Sequence, residues 1–175
     1  MAICNISKDL LRSNSCEYNL VEIKDIYIAN FTDVTAAPVE YSESSVTVTA
    51  ITLSGSSKFY HVEPTKDSVS YTDELVVEDN GNKYRTHTLT FGVNGKYDAG
   101  MVSSVDALAL GRFFVVVKTT AGEYLALGRQ VGMEASEQTI NGGSDGNGVS
   151  VTLTANVTES AVPLSQSAIT TVVGS

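Results

Sequence analysis

Few side chains in this sequence could carry chemistry. Its 175 residues include two histidines, His61 and His87, and two cysteines, Cys4 and Cys16. An imidazole can take and return a proton near neutral pH, but a triad or a metal site needs further groups placed to orient it. Neither histidine has such a neighbour in sequence, so each reads as a strand residue rather than a catalyst. The cysteines form no CxxC and have no histidine nearby, which leaves them as two small buried hydrophobes of a reducing compartment, with a disulfide as the second reading. Asp73, Glu74, Glu78 and Asp79 crowd around a turn, where carboxylates form a solvated face rather than a general acid–base pair. The stretch 141–148 (NGGSDGNG) is oxygen-rich like a cation loop but lacks the ordered acids and closing Glu of an EF-hand. A strand rather than a helix follows it, which argues against a phosphate loop, so it reads as a flexible turn. The expectation is no catalytic residue, no cofactor-binding residue, no metal ligand and no enzyme.

Composition narrows the function further. Eleven Lys and Arg against 20 Asp and Glu give a formal net charge of -9, whereas a general nucleic-acid binder needs a basic stripe to displace phosphate counterions. With no Trp and 7% aromatic residues, a carbohydrate-stacking surface is poorly supported. A chain of this length fits one domain that buries roughly 70% of its unfolded surface without a metal or disulfide staple. No apolar run approaches the ~18 residues of a membrane helix, and Met1 to Arg12 lacks the basic-then-apolar order of a signal peptide. Synthesis and folding in a cytoplasm are therefore expected.

Period-2 patterning dominates the chain. Val21, Ile23, Ile26 and Ile28 alternate with a one-residue slip at Lys24-Asp25, as a β-bulge would produce. Thr32 to Ser44 reads as a loop, Val46 to Ile51 as a strand, and Lys58 to Glu63 as its hairpin partner, stopped by Pro64. Val69, Tyr71, Leu75 and Val77 share one face of a strand whose turn, Asp79-Asn80-Gly81-Asn82, tolerates positive φ. The return strand sets His87, Leu89, Phe91 and Val93 against Tyr84, Thr86, Thr88 and Thr90. Asp98 offers an N-cap for one short helix, Asp98 to Leu110, with Met101, Val105, Leu108 and Ala109 on its apolar face and Gly111 as a left-handed C-terminal residue. Phe113 to Val117 is apolar without alternation and should be covered on both sides, by the helix on one and by a second sheet or a neighbouring subunit on the other. Tyr124 to Leu127 pairs back, Gln130 to Glu137 is a short strand, and Val149 to Val157 is a longer one. The expected organisation is an N-terminal arm at 1–17, a β-sandwich domain at 18–158 and a C-terminal arm at 159–175.

This order of elements resembles the tail tube proteins and related tail components of tailed bacteriophages, most closely the small structural proteins of phages infecting Bacteroidetes. The likeness rests on Cys16 to Phe31 (CEYNLVEIKDIYIANF), on Phe113 to Thr119 with Glu123 to Gly128, and on Gly132 to Glu134 leading through Gly142-Gly143 into a Thr-rich strand. It implies a mainly β, antiparallel sandwich or half-barrel with one short α-helix. It also implies a virion structural protein, a tail tube subunit in stacked hexameric rings that conduct DNA. The implied partners are copies of itself, other virion tail or connector proteins, and genomic DNA passing without specific binding; no membrane is involved. The implied location is the virion tail, assembled in the host cytoplasm. Alternatives are a head–tail connector, tail terminator or capsid decoration protein, or a ligand- or glycan-binding β-sandwich. Deleting 159–175 is expected to leave a folded domain that no longer polymerises.

Overall fold

A computed structural model describes residues 22–42, 45–95, 98–142 and 148–174. The arm at 1–17, both cysteines and most of the 141–148 loop therefore lie outside the described residues. In chain order the elements are β1 (Ile23–Asn30), a 3-10 turn, β2 (Val34–Ala36), β3 (Val39–Tyr41), β4 (Val46–Val48), β5 (Thr52–Leu53), β6 (Tyr60–Val62), β7 (Ser70–Val77) and β8 (Lys83–Val93). Then follow α1 (Ala99–Leu110), β9 (Arg112–Thr119), β10 (Tyr124–Leu127), β11 (Met133–Asn141), β12 (Gly148–Val157), β13 (Val162–Pro163) and α2 (Gln166–Val173). The protein is mainly β with antiparallel strand pairing, as its alternating sequence demands.

The apolar strand β9 is the hinge of the sheet. One edge pairs with β1 from Ile23 to Asn30, and the bulge expected near Lys24-Asp25 is present as a register shift between Ile23 and Asp25. The other edge is shared, because Val115 to Lys118 pair with β10 while Arg112 and Phe113 pair with β11. The sheet forks there. One branch is β10–β13, and the other continues β11–β12–β8–β7 and turns back over β1 and β9.

Two cores follow from that fork. Phe113, Val115 and Val117 point into the first, between the β11–β12–β8–β7 branch and β1 with β9, together with Ile26, Leu89, Phe91, Met133, Leu153 and Val105 of α1. Phe114 and Val116 point the opposite way into the second, with Tyr27, Ala29, Val48, Ile51, Phe59, Ala126, Val162, Leu164, Ala168 and Val172. A strand buried on both faces reads as a continuous apolar run, which is why β9 shows no alternation.

The second core corrects the expected C-terminal arm. Residues 159–174 belong to the folded body: β13 adds to β10, and Leu164 forms a parallel bridge to Val48. α2 is capped by Ser165, whose Oγ accepts from Ala168 N at 3.3 Å and donates to Thr49 O at 2.8 Å. The cover for the outer face of β9 comes from the chain's own C-terminal segment, so the described residues hold a second short helix beside the expected one. Three local expectations also change. The 32–44 loop contains β2 and β3, which pair with β5 and β4. β6 pairs with β1 rather than with the strand before it, and its Val62 packs against the first core. Gly111 is extended (φ -90, ψ 174), and glycine is required there because a Cβ would collide with the Phe113 ring.

α1 begins as its sequence indicates, with Asp98 Oδ1 accepting from Met101 N at 3.0 Å. It lies against β11, where Gln138 Nε2 donates to Val105 O at 2.8 Å. Only Val105 is fully buried; Met101 and Leu108 are half-buried at the rim of the first core.

Candidate functional site

Each histidine meets a carboxylate that sequence spacing did not pair with it. His61 Nε2 lies 2.9 Å from Asp25 Oδ1, and its ring stacks on Tyr27 with centroids 4.9 Å apart. Lys118 Nζ is 3.8 Å from the other Asp25 oxygen and rests over the Tyr124 ring. The Tyr124 hydroxyl and then Asp25 favour the ammonium and raise the Lys118 pKa, while burial raises that of Tyr27. This cluster pins β6, β1, β9 and β10 together at the sheet surface.

His87 is enclosed. Its ring is 1% exposed, Nδ1 accepts from Gly128 N at 3.1 Å, and Nε2 faces Asp73 Oδ1 at 3.5 Å without a bonded partner. Burial lowers its pKa more than Asp73 and Glu159 raise it, so the ring is held neutral. Both nitrogens face protein groups, and no substrate can reach them. Asp73 also accepts from Arg85 Nε at 2.5 Å and, through Oδ2, from Ala161 N at 2.9 Å. It is therefore a buttress between β7 and the C-terminal segment, in contrast to the solvated carboxylate expected from sequence; Glu74, Glu78 and Asp79 are exposed as expected. Beside it, Arg129 Nε and Nη2 grip both oxygens of Glu159 at 2.6 Å, and Nη1 donates to Ala37 O at 2.9 Å. The β10–β11 turn holds that arginine in place. It is built on Gly128 (φ 63) and Gly132 (φ 78), where added Cβ atoms would strike Met133 and Arg112.

An organised polar surface forms instead on the outer face of β7–β8–β12–β11. Register places Ser70, Thr90, Thr152 and Glu137 in one row, Thr72, Thr88, Thr154 and Glu134 in the next, then Glu74, Thr86 and Asn156. Thr90 and Thr152 hydroxyls hydrogen-bond at 3.1 Å, and Thr86 Oγ1 donates to Asn156 Oδ1 at 2.9 Å. The only basic residues of these four strands, Lys83 and Arg85, sit opposite Val77 and Leu75 on the other face. Arg112 reaches the margin and is paired with Glu134 at 2.7 Å. The face is thus a hydroxyl sheet with carboxylates and no free cation of its own strands. At its side, β7 carries Leu75 and Val77, which are about half exposed, and among the described residues it ends the sheet with no strand on its outer edge.

Among the described residues, no group of three or more His, Cys, Asp or Glu could hold a metal, and no helix is long and apolar enough to cross a membrane. No family model and no curated protein matches the sequence.

Proposed function

We propose that the protein is an assembly subunit, a virion structural protein of the tail tube type, whose copies join edge to edge into stacked rings around a DNA conduit. The observation that carries this reading is the β7–β8–β12–β11 face, where hydroxyls and carboxylates project and lysine and arginine are turned away. A channel that passes DNA without holding it needs such a lining, since each phosphate neutralised by a cation adds salt-dependent affinity. The edge of β7, open among the described residues, supplies the second requirement. An unpaired strand presents main-chain donors and acceptors that a neighbouring copy can pair by strand addition, and rotation-related copies joined this way close into a ring. The resemblance to tail tube proteins supports six copies per ring, and other tail or connector proteins as further partners.

Another virion component, such as a connector, terminator or decoration protein, would use the same edges and differ in what it caps. A ligand-binding sandwich is the reading favoured by the groove of ≈ 640 Å³ between the β7–β8 ribbon and the segment 158–163, lined by Lys83, Arg85, Gln130 and Glu159 among others. Size-exclusion chromatography with light scattering, followed by negative-stain microscopy, separates them: rings or tubes are expected, and a monomer that binds glycans would replace this reading with the groove's.

A further inference from the structure

We propose that His87 is an acid-sensitive latch for the C-terminal segment: protonating its ring unseats the Gly128 turn and, through Arg129, frees Glu159 and residues 159–174 from the sheet. The geometry carries this independently of the assembly reading. A backbone N–H can only donate, so the bond from Gly128 N to Nδ1 at 3.1 Å requires an unprotonated Nδ1 and leaves the neutral ring's proton on Nε2, toward Asp73. A second proton has one place to go, Nδ1, where it would face the Gly128 N–H donor to donor in a site with 1% of the residue exposed. The ring cannot be charged and keep that bond.

What the bond holds is the C-terminal cover. Gly128 starts the turn that carries Arg129, and Arg129 binds Glu159 with two bonds of 2.6 Å, at the root of the segment whose Val162, Leu164, Ala168 and Val172 fill the second core. The other anchor of that root, Ala161 N to Asp73 Oδ2 at 2.9 Å, engages the carboxylate that faces Nε2. The charged groups around the ring are Arg85 on its own strand, Asp73 on β7, Arg129 on the turn and Glu159 after β12; on β12 its partner is Ala155. The two acids favour the charged ring, and Arg85 and burial oppose it, with burial dominant.

The sign follows. The folded-state value lies below the ordinary imidazole value of about 6.5, so the closed state carries no proton on His87 while the opened state takes one up. The closed form is fully favoured above that value and loses ground as pH falls below it. With one proton gained on opening, the opening constant rises by up to about tenfold per pH unit until the folded-state value is reached.

Hydrogen exchange on the full chain between pH 7.5 and 5.0, expressed as protection factors to remove intrinsic pH dependence, reads this directly. The Gly128 amide and those of Leu164, Ser165 and Ile169 should lose protection together below pH 6.5, by up to about tenfold per unit until the folded-state value is reached, while the β8–β12 ladder stays protected. His87→Asn, which retains an acceptor near Nδ1 but cannot titrate, should abolish the dependence; His61→Asn, altering the other imidazole, should leave it intact. Flat protection of residues 159–173 across the range, or an equal loss in His87→Asn, overturns the proposal. If His87→Asn does not fold, imidazole nitrogen NMR of the unaltered protein decides. A ring that titrates while the Gly128 amide stays protected refutes the latch, and loss of both together supports it.

Discussion

Removing the C-terminal cover should cost the fold much of its stability rather than merely disarm it. In Val172→Ala the lost groups come from a side chain 1% exposed against Phe114 and Val116. Two methyl groups at about 0.8 kcal/mol each, plus a small unfilled cavity, give a loss of about 2 kcal/mol. For a chain of this size that lowers Tm by about 4–8 °C and shifts the urea midpoint with little change in slope. Ending the chain at Thr158 is more severe. It strips Val162, Leu164 and Val172, each worth about 1.5–3 kcal/mol when buried, and leaves Arg129 without its carboxylate. The sum is a large share of the about 5–15 kcal/mol that stabilises a typical domain, so the truncated chain should unfold at a far lower urea concentration. Urea titration followed by circular dichroism tests both. A truncated chain with a cooperative transition and an unchanged midpoint would refute the second core and restore the reading of 159–175 as an arm.

Further predictions come from the other contacts. Glu159→Ala leaves the part-buried Arg129 guanidinium without its carboxylate and should cost up to about 3 kcal/mol, below the about 3–5 kcal/mol of a fully buried pair, read from the same titration. Leu108→Ala should cost less than the about 2–5 kcal/mol of a fully buried leucine, because Leu108 is half-buried at the rim; a loss within that range would place α1 deeper over the core. In gel shifts at moderate salt the protein should retain no DNA. A variant with Thr88→Lys and Thr152→Lys on the hydroxyl face should gain salt-sensitive retention once assembled, and unaltered retention would mean that this face does not meet DNA.

What the sequence made legible was local. The β7–β8 ribbon with its Asn80-Gly81 turn, the buried face His87-Leu89-Phe91, the Asp98 cap and the bulge before Ile26 each rest on neighbours a few residues apart, and all are present. Non-local pairings were illegible. Nothing in the order of residues ties β6 to β1 or Arg129 to Glu159 thirty positions away. The C-terminal misreading had a signal within reach: Ser165 as a cap, with Leu164, Ala168 and Val172 at i, i+4 and i+8, marks a helix, but small residues among threonines keep its apolar stripe faint. Asp73 was misjudged through its acidic neighbours, although the hairpin register alone sets it opposite His87. The hydroxyl face needed that register too, since only pairing brings threonines of β8 and β12 into rows.

The central claim, that copies join by their sheet edges with the hydroxyl face inward, is tested most directly by electron cryo-microscopy of the protein at concentrations where it self-associates. Closed rings are expected, stacked or single, whose inner wall is β7–β8–β12–β11 with Thr88 and Thr154 toward the lumen and β7 paired with the adjacent copy. A protein that stays monomeric at every concentration, or rings lined by another face, would contradict it.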